Sequence, residues 1–150
     1  MNLGRILMGG LAAGLVINVS EATLNVAVLG DDWAQVMTAL GKPAEFSGGQ
    51  IALFNVMGFA LGIAMVWLYA AIRPRYGAGA KTAICAGCAT WTLSTLLPSI
   101  GQVAIGLFPS GLIAVGLVWS LVEMILAGLV GGWLYREEAP AAIRTQAARA

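Results

Sequence analysis

Four long apolar stretches constrain this chain more than any other feature of its sequence. They cover approximately residues 6–29, 51–72, 79–97 and 112–135. A helix of about 20 mostly apolar residues crosses the roughly 30 Å hydrocarbon core of a bilayer, and each stretch is close to that length. Only 10% of the 150 residues are charged, against about 25% in an average soluble domain. The sequence therefore predicts an all-α fold, a four-transmembrane-helix bundle.

The four stretches leave little chain for a second domain. Residues 1–138 are predicted to form one four-helix transmembrane domain, and residues 139–150 a short cytoplasmic tail. The first stretch is longer than the apolar region of a signal peptide, which has about 7–15 residues. We therefore interpret it as an uncleaved first span.

The positions of lysine and arginine predict the orientation. An even number of spans puts both termini on one side, together with the connection between the second and third spans. Seven of the eight basic residues fall on that side, and only Lys42 falls on the other. The positive-inside rule therefore predicts that both termini are cytoplasmic. Trp67 and Trp133 would then lie at the inner interface, where aromatic residues are enriched.

The connection after the first span contains a short amphipathic pattern. Its apolar residues recur at helical spacing and are Trp33, Val36, Met37 and Leu40. About ten residues are too few to cross a bilayer, so the pattern predicts a short interfacial helix in the first outer loop, with an irregular loop as the alternative. Ser47, followed three residues later by Gln50, is typical of a capping box and predicts the start of the second span.

Two glutamates, Glu21 and Glu123, lie near the middle of predicted spans with no basic residue nearby. A charged residue at the centre of a membrane helix costs about 2.5–3.5 kcal/mol, so we expect both carboxyls to face other helices rather than lipid. Other polar side chains share helical faces and depths with them. The predicted intramembrane polar cluster consists of Glu21, Glu123, Asn18, Asn25, Asn55, Ser120, Thr92 and Thr95.

Three interpretations of this polar cluster are open. Its members could form hydrogen bonds between the helices of one bundle. They could form a relay for protons or cations through the bundle. They could also be a contact site for a larger membrane complex. Changing both glutamates to glutamine separates the first two, because glutamine keeps hydrogen bonding but cannot carry a proton.

Small residues recur four positions apart in every predicted span. In lipid, helices associate through close backbone contact rather than through the hydrophobic effect, and small residues permit that contact. The predicted helix-packing residues are Gly10, Gly14, Gly58, Gly62, Gly128 and Gly132. Ala83 and Gly87 form a similar pair in the third span. These pairs favour either packing within one bundle or a seam between copies.

Nothing in the sequence indicates an enzyme. The chain has no histidine, which excludes histidine-ligated haem and most zinc or copper sites built from this chain alone. Cys85 and Cys88 have redox-motif spacing, but they fall in the predicted cytoplasmic half of a span, where the compartment is reducing, and we interpret them as packing residues. The sequence thus predicts no catalytic, cofactor-binding or metal-binding residues, no cofactor and no nucleic-acid partner.

Three segments carry a resemblance to a known group of proteins. They are residues 14–21, residues 67–81, and Glu123 together with residues 133–137. In these segments the chain resembles uncharacterised small four-helix bacterial membrane proteins. The resemblance covers most of the chain, implies the bacterial inner (cytoplasmic) membrane, and carries no assigned activity.

Small size, glycine pairs and the lack of a soluble domain lead to one functional expectation. We expect a non-enzymatic multi-pass membrane protein that acts by association, as a homo-oligomer or as an accessory subunit of a larger membrane complex. The alternative is a small transporter or a proton or cation channel that uses the intramembrane glutamates. The expected partners are the lipid bilayer and copies of the chain or other integral membrane subunits.

Overall fold

The computed structural model of the protein describes residues 1–135, and this part of the chain is helical apart from short connections. Its helices are α1 (Leu3–Val28), α2 (Gly30–Ala39), α3 (Gly48–Tyr76), α4 (Ala80–Ala104) and α5 (Ser110–Leu134). All except α2 are long and apolar enough to cross a membrane. The prediction of an all-α fold with four candidate spans is therefore confirmed. The predicted tail lies outside the described residues.

The four long helices pack in the order in which they occur in the chain. Helix α1 packs against α3 and α5, α4 packs against the same two helices, and α3 also contacts α5 across the centre. Helix α1 begins and α5 ends at the same end of the bundle, which we call the terminal end. Helix α2 follows the opposite end of α1, and we call that end the α2 end.

Helix α3 begins at the predicted capping box. The backbone N–H of Ser47 donates to Gln50 Oε1 at 2.8 Å, and the backbone N–H of Gln50 donates to Ser47 Oγ at 3.4 Å. These bonds satisfy amide groups that the first helical turn leaves without partners. The helix ends before Gly77, whose φ of +85° suits glycine. The predicted start of the second apolar helix is confirmed.

Helix α4 extends further than the sequence suggested. The third stretch was expected to end at residue 97, before Pro98, but the helix continues through this proline to Ala104. Proline has no N–H and normally breaks a helix. Here the residues before it, Thr92–Leu96, form a wide π-helical turn in which the N–H of Leu97 donates to the carbonyl of Thr92. This local widening absorbs the missing hydrogen bond and keeps the helix continuous.

A second wide turn ends α1. Residues Thr23–Val28 are π-helical, and the N–H of Leu29 donates to the carbonyl of Leu24 at 2.8 Å. Helix α2 starts directly afterwards, at Gly30. Both wide turns lie in the half of the bundle toward the α2 end, so the regular helical spacing assumed from the sequence fails there.

Burial is concentrated between the middle of the bundle and the terminal end. The buried apolar side chains that form one core are Ile6, Ala13, Ile17, Met65, Val66, Tyr69, Ala70, Ala83, Ala86, Met124, Ala127 and Tyr135. By contrast, the first ten residues of α3, residues 48–57, are all exposed. The bundle is therefore closely packed in its terminal half and open in its α2 half.

Candidate functional site

The glycine pairs of α1 and α3 lie against each other. A Cβ added to Gly10 would lie 2.5 Å from the Cα of Ile63, and one added to Gly14 would lie 2.7 Å from the Cα of Phe59. From the other side, Gly62 faces the backbone of Gly10 and Gly14. Real Cβ atoms do not approach backbone this closely, so the two helices can meet only over glycine.

The small residues of α4 and α5 form a second seam of the same kind. A Cβ on Gly87 would lie 2.5 Å from the carbonyl oxygen of Met124, and one on Gly128 would lie 2.8 Å from that of Ala83. A Cβ on Gly132 would lie 3.1 Å from the Cβ of Ala83. Together with the first seam, this places all four small-residue pairs inside one bundle rather than on a surface available to a second copy.

A third close approach joins α1 to α5. A Cβ added to Gly9 would lie 2.7 Å from the carbonyl oxygen of Gly131. Neither residue belongs to a pair of glycines four positions apart, so the pattern that predicted the other contacts does not include them. Each is directly followed by another glycine, at 10 and 132, so consecutive glycines face two different neighbours. Two adjacent glycines in a predicted span therefore indicate close contact with two neighbouring helices.

The predicted polar cluster does not form as one network. Thr92 Oγ1 and Asn55 Nδ2 each donate to the carbonyl four residues earlier in their own helix, both at 2.8 Å. The hydroxyl of Thr95 lies 3.3 Å from that of its neighbour Ser94. Such local bonds compete with contacts between helices. The side chains of these three predicted members therefore reach no other helix.

Asn18 and Asn55 are brought together, although through a backbone group. Asn18 Nδ2 donates to the carbonyl oxygen of Asn55 at 3.1 Å and so connects α1 to α3. Gly58 leaves the space that this amide occupies, since a Cβ there would lie 2.8 Å from Asn18 Cγ. This predicted packing glycine thus also accommodates a polar side chain.

Glu21 belongs to a chain of contacts that leads to α2. Its Oε2 accepts from Asn25 Nδ2 at 2.5 Å, and Asn25 Oδ1 accepts from Trp33 Nε1 at 2.8 Å. The Trp33 ring in turn meets Phe108 edge-on, with 5.5 Å between centroids. The half-buried Glu21 is therefore connected to the short helix and not to another long one.

Tryptophan side chains supply hydrogen bonds that the sequence analysis missed. Trp91 Nε1 donates to Ser120 Oγ at 3.0 Å and so connects α4 to α5. Trp119 Nε1 donates to Ser20 Oγ at 2.9 Å and connects α5 to α1. An indole N–H is a donor only and needs an acceptor when it is withdrawn from water. A tryptophan inside a predicted span was therefore a signal for a serine or amide partner.

Glu123 differs from every other member of the predicted cluster. It is only 2% exposed, and neither of its carboxyl oxygens forms a hydrogen bond with any residue between 1 and 135. The Ser20 hydroxyl approaches this carboxyl without reaching the geometry of a well-formed hydrogen bond, and the Glu21 carboxyl is close enough to repel it. Within residues 1–135, Glu123 is thus a buried acid with no well-formed hydrogen bond.

Glu123 lines an apolar groove of about 700 Å³ on the surface of α5. The lining residues are Ser20, Ala114, Val115, Val118, Trp119, Val122, Glu123 and Leu126. All of them except Ser20 come from α5. One side of the groove is open to the surroundings of the bundle.

These positions bear on the three interpretations of the polar residues. The expected burial among helices holds fully for Glu123 and partly for Glu21. Neither carboxyl forms a hydrogen bond to another long helix within the described residues. The well-formed side-chain hydrogen bonds between the long helices come instead from Asn18, Trp91 and Trp119.

The two cysteines do not form a site. Both are free thiols, Cys85 is exposed and Cys88 is half-buried, so only Cys88 can fill the packing role expected of both. Within residues 1–135, no group of three or more histidine, cysteine, aspartate or glutamate residues is placed to hold a metal ion.

Comparisons with protein families, with curated proteins and with solved structures find no match to this chain. The resemblance to small four-helix bacterial membrane proteins therefore stays a prediction. The structure itself supports a broader assignment, because four helices have the length and apolar composition of membrane spans. On that evidence the chain is a multi-pass membrane protein.

Proposed function

We propose that the protein acts by association within the membrane, as a homo-oligomer or as an accessory subunit of a larger membrane complex. The observation that carries this proposal is the exposed start of α3, residues 48–57. Its large apolar side chains are exposed around the helix and are Ile51, Leu53, Phe54, Val56 and Met57. A helix that is apolar on all sides is covered either by lipid or by other helices.

Asn55 favours a protein rather than lipid as the covering for this segment. Its side-chain amide is exposed and donates only within its own helix. In lipid, an amide gains about 0.6–2 kcal/mol from a hydrogen bond to a neighbouring helix. A partner helix that contacts α3 near Asn55 would supply this bond.

The glycine pairs do not contribute to this proposed interface. All four pairs occupy seams inside the bundle, so association would use residues 48–57 instead. Of the two interpretations of these pairs, packing within one bundle is therefore favoured over a seam between copies, and the proposed interface is an apolar segment with one amide.

The proposal includes an orientation in the bacterial inner membrane. The terminal end would lie in the cytoplasm, because it carries Arg5, Arg73, Arg75 and Lys81. Helix α2 would then lie flat on the outer surface. Its half-buried apolar side chains, such as Trp33, Val36 and Met37, would face the bundle and the lipid.

Cysteine cross-linking in native membranes tests association. In a background with both native cysteines changed to alanine, Leu53→Cys and Leu7→Cys form a matched pair, since these leucines are 57% and 51% exposed. We expect cross-linked species of higher mass from Leu53→Cys and only background from Leu7→Cys. Equal yields from the two variants, with a monomeric mass and no co-purifying subunit after gentle extraction, would contradict the proposal.

A small transporter or cation channel is the second candidate function. One observation favours it, namely that the carboxyls of Glu21 and Glu123 are close enough to interact. The apolar core of the terminal half opposes it, because that core offers few groups to carry an ion onward. Flux through liposomes that both Glu21→Gln and Glu123→Gln abolish would establish this candidate. Absence of flux in the unmodified protein would remove it.

A further inference from the structure

We propose that the groove on α5 binds an amphiphilic organic cation and that Glu123 supplies the opposing charge. This inference goes beyond association, since it concerns a different surface from residues 48–57. It depends on three features that meet in the groove: its size, an aromatic ring and a buried acid without a partner.

The size and walls of the groove suit a small molecule. Its volume of about 700 Å³ falls in the range of roughly 300–1,000 Å³ that is usual for small-molecule sites. Val115, Val118, Val122 and Leu126 line it along successive turns of α5. Sites of this class are mostly apolar with a few fixed polar groups. These side chains would hold the apolar body of a ligand.

Trp119 gives the groove an aromatic wall. Tryptophan attracts cations over its ring face more strongly than the other aromatic residues. The indole N–H of Trp119 donates to Ser20 Oγ at 2.9 Å, which holds the ring to α1. The ring therefore has a fixed position in the wall of the groove.

Glu123 makes a cation the best-matched ligand. An unpaired acid that is removed from water is unfavourable, and a cation placed opposite it would offset that cost. Attraction between the two charges is strong there because little water screens it. Among residues 1–135, Glu123 is the one member of the predicted polar cluster without a well-formed hydrogen bond.

The described part of the chain does not supply this positive charge. Its basic residues are Arg5, Arg73, Arg75 and Lys81 toward the terminal end and Lys42 in the connection after α2. Residues 1–135 of a second copy would bring the same distribution, with the basic residues toward the terminal end and in the connection after α2. A lipid headgroup lies at the membrane surface rather than at mid-span. A small amphiphilic cation can reach this depth from the lipid phase.

Binding of tetraphenylphosphonium to the full chain in zwitterionic lipid nanodiscs tests the proposal. Equilibrium dialysis should show saturable binding with one site per chain. We expect Glu123→Gln to lower the affinity by about tenfold or more, because the charge pair is lost. Glu45→Gln is the control. This exposed acid lies in the connection before α3 and does not line the groove, so the affinity of this variant should change by less than about threefold.

A second variant blocks the groove without altering the acid. Val118 lines the groove and is 70% exposed, whereas Val26 is 76% exposed on α1 and does not line it. Val118→Trp should abolish saturable binding, and Val26→Trp should leave it unchanged. This pair keeps the proposal testable if Glu123→Gln fails to fold.

Three results would overturn the proposal. The first is equal binding of triphenylphosphine oxide, a neutral analogue, which would indicate an apolar groove without charge selection. The second is binding that does not saturate, which would indicate partition into lipid. The third is unchanged affinity in Glu123→Gln or in Val118→Trp. Cross-linking at Leu53 is measured separately, so failure of association and failure of cation binding are distinguishable.

Discussion

The terminal half and the α2 half of this bundle are held together in different ways. In the terminal half, backbones meet over small residues, as at Gly10 and Gly87, and a continuous apolar core fills the remaining space. In the α2 half, the helices contain wide turns, and individual hydrogen bonds from Trp33 and Trp119 connect them. None of the first ten residues of α3 is buried.

The terminal half therefore provides most of the stability of the bundle, and the α2 half contains the surfaces on which the proposed functions depend. Close packing provides most of the association between helices in lipid, where the hydrophobic effect between them is small. The terminal half is built for such packing. The α2 half keeps an exposed amide and an open groove, and at the boundary between the halves lies the unpaired acid, Glu123. We therefore expect substitutions in the two halves to differ in both size and sign.

The largest loss of stability should follow from Gly10→Ala. The added Cβ would lie 2.5 Å from the Cα of Ile63, so α1 and α3 must separate, at a loss of about 1–3 kcal/mol in the free energy of unfolding. Gly116→Ala on α5 is the control, because nothing lies within 4 Å of its Cβ position. It should be neutral or slightly stabilising. Unfolding in mixed micelles measures both, and equal losses would remove the contrast between the halves.

A gain of stability is expected from Glu123→Met. Replacing a buried acid without a partner by an apolar side chain of similar size should raise the free energy of unfolding by about 1–3 kcal/mol. Glu21→Met should lower it instead, because Asn25 Nδ2 then loses one of its two acceptors and keeps only the backbone carbonyl of residue 21. The same micelle unfolding compares the two. Destabilisation by Glu123→Met would mean that the carboxyl has a partner and would weaken the proposed cation site.

A smaller loss is expected from Trp33→Phe. This change keeps an aromatic side chain but replaces the indole by a smaller phenyl ring and removes the N–H that donates to Asn25 at 2.8 Å, at a loss of about 0.5–1.5 kcal/mol for the hydrogen bond. Trp67→Phe changes an exposed ring in the terminal half and should have no measurable effect. Hydrogen exchange of the amides of α2 should increase in Trp33→Phe alone. No change there would show that α2 is held by other contacts.

The smallest effect on the isolated chain is expected from Asn55→Leu. Because its side chain bonds only within α3, the free energy of unfolding should stay within about 0.5 kcal/mol of its original value. The yield of the Leu53→Cys cross-link should nevertheless fall. A stability loss without a change in cross-linking would place the role of Asn55 inside the bundle.

The sequence predicted those features that depend on composition and short spacing. Apolar length identified four long helices, Ser47 and Gln50 marked the start of α3, and the glycine spacing identified the residues that line two seams. These features can be predicted without knowing which helices are neighbours, because each depends only on residues within one turn or one span.

The polar site could not be predicted in the same way. Placing Asn25 and Thr95 in one cluster assumed regular helical spacing up to the α2 end, but π-helical turns at Thr23–Val28 and Thr92–Leu96 change that spacing. The spans' tryptophans are predicted at membrane interfaces or carry no predicted partner, whereas the indole N–H groups of Trp33, Trp91 and Trp119 bond within the protein. Which helices meet decides these contacts, and the order of packing is not visible in a single span.

The wide turn in α1 makes that helix one residue longer than a regular helix of the same rise would be. Each residue of an α-helix turns the chain by about 100°, so one added residue reorients everything that follows it. Deleting a single residue within Thr23–Val28 would therefore leave the contacts of Gly10, Gly14 and Asn18 unchanged. It would rotate α2 about the axis of α1 to a new position. Insertions or deletions at this point would therefore change the direction of α2 without changing the glycine contacts between the long helices.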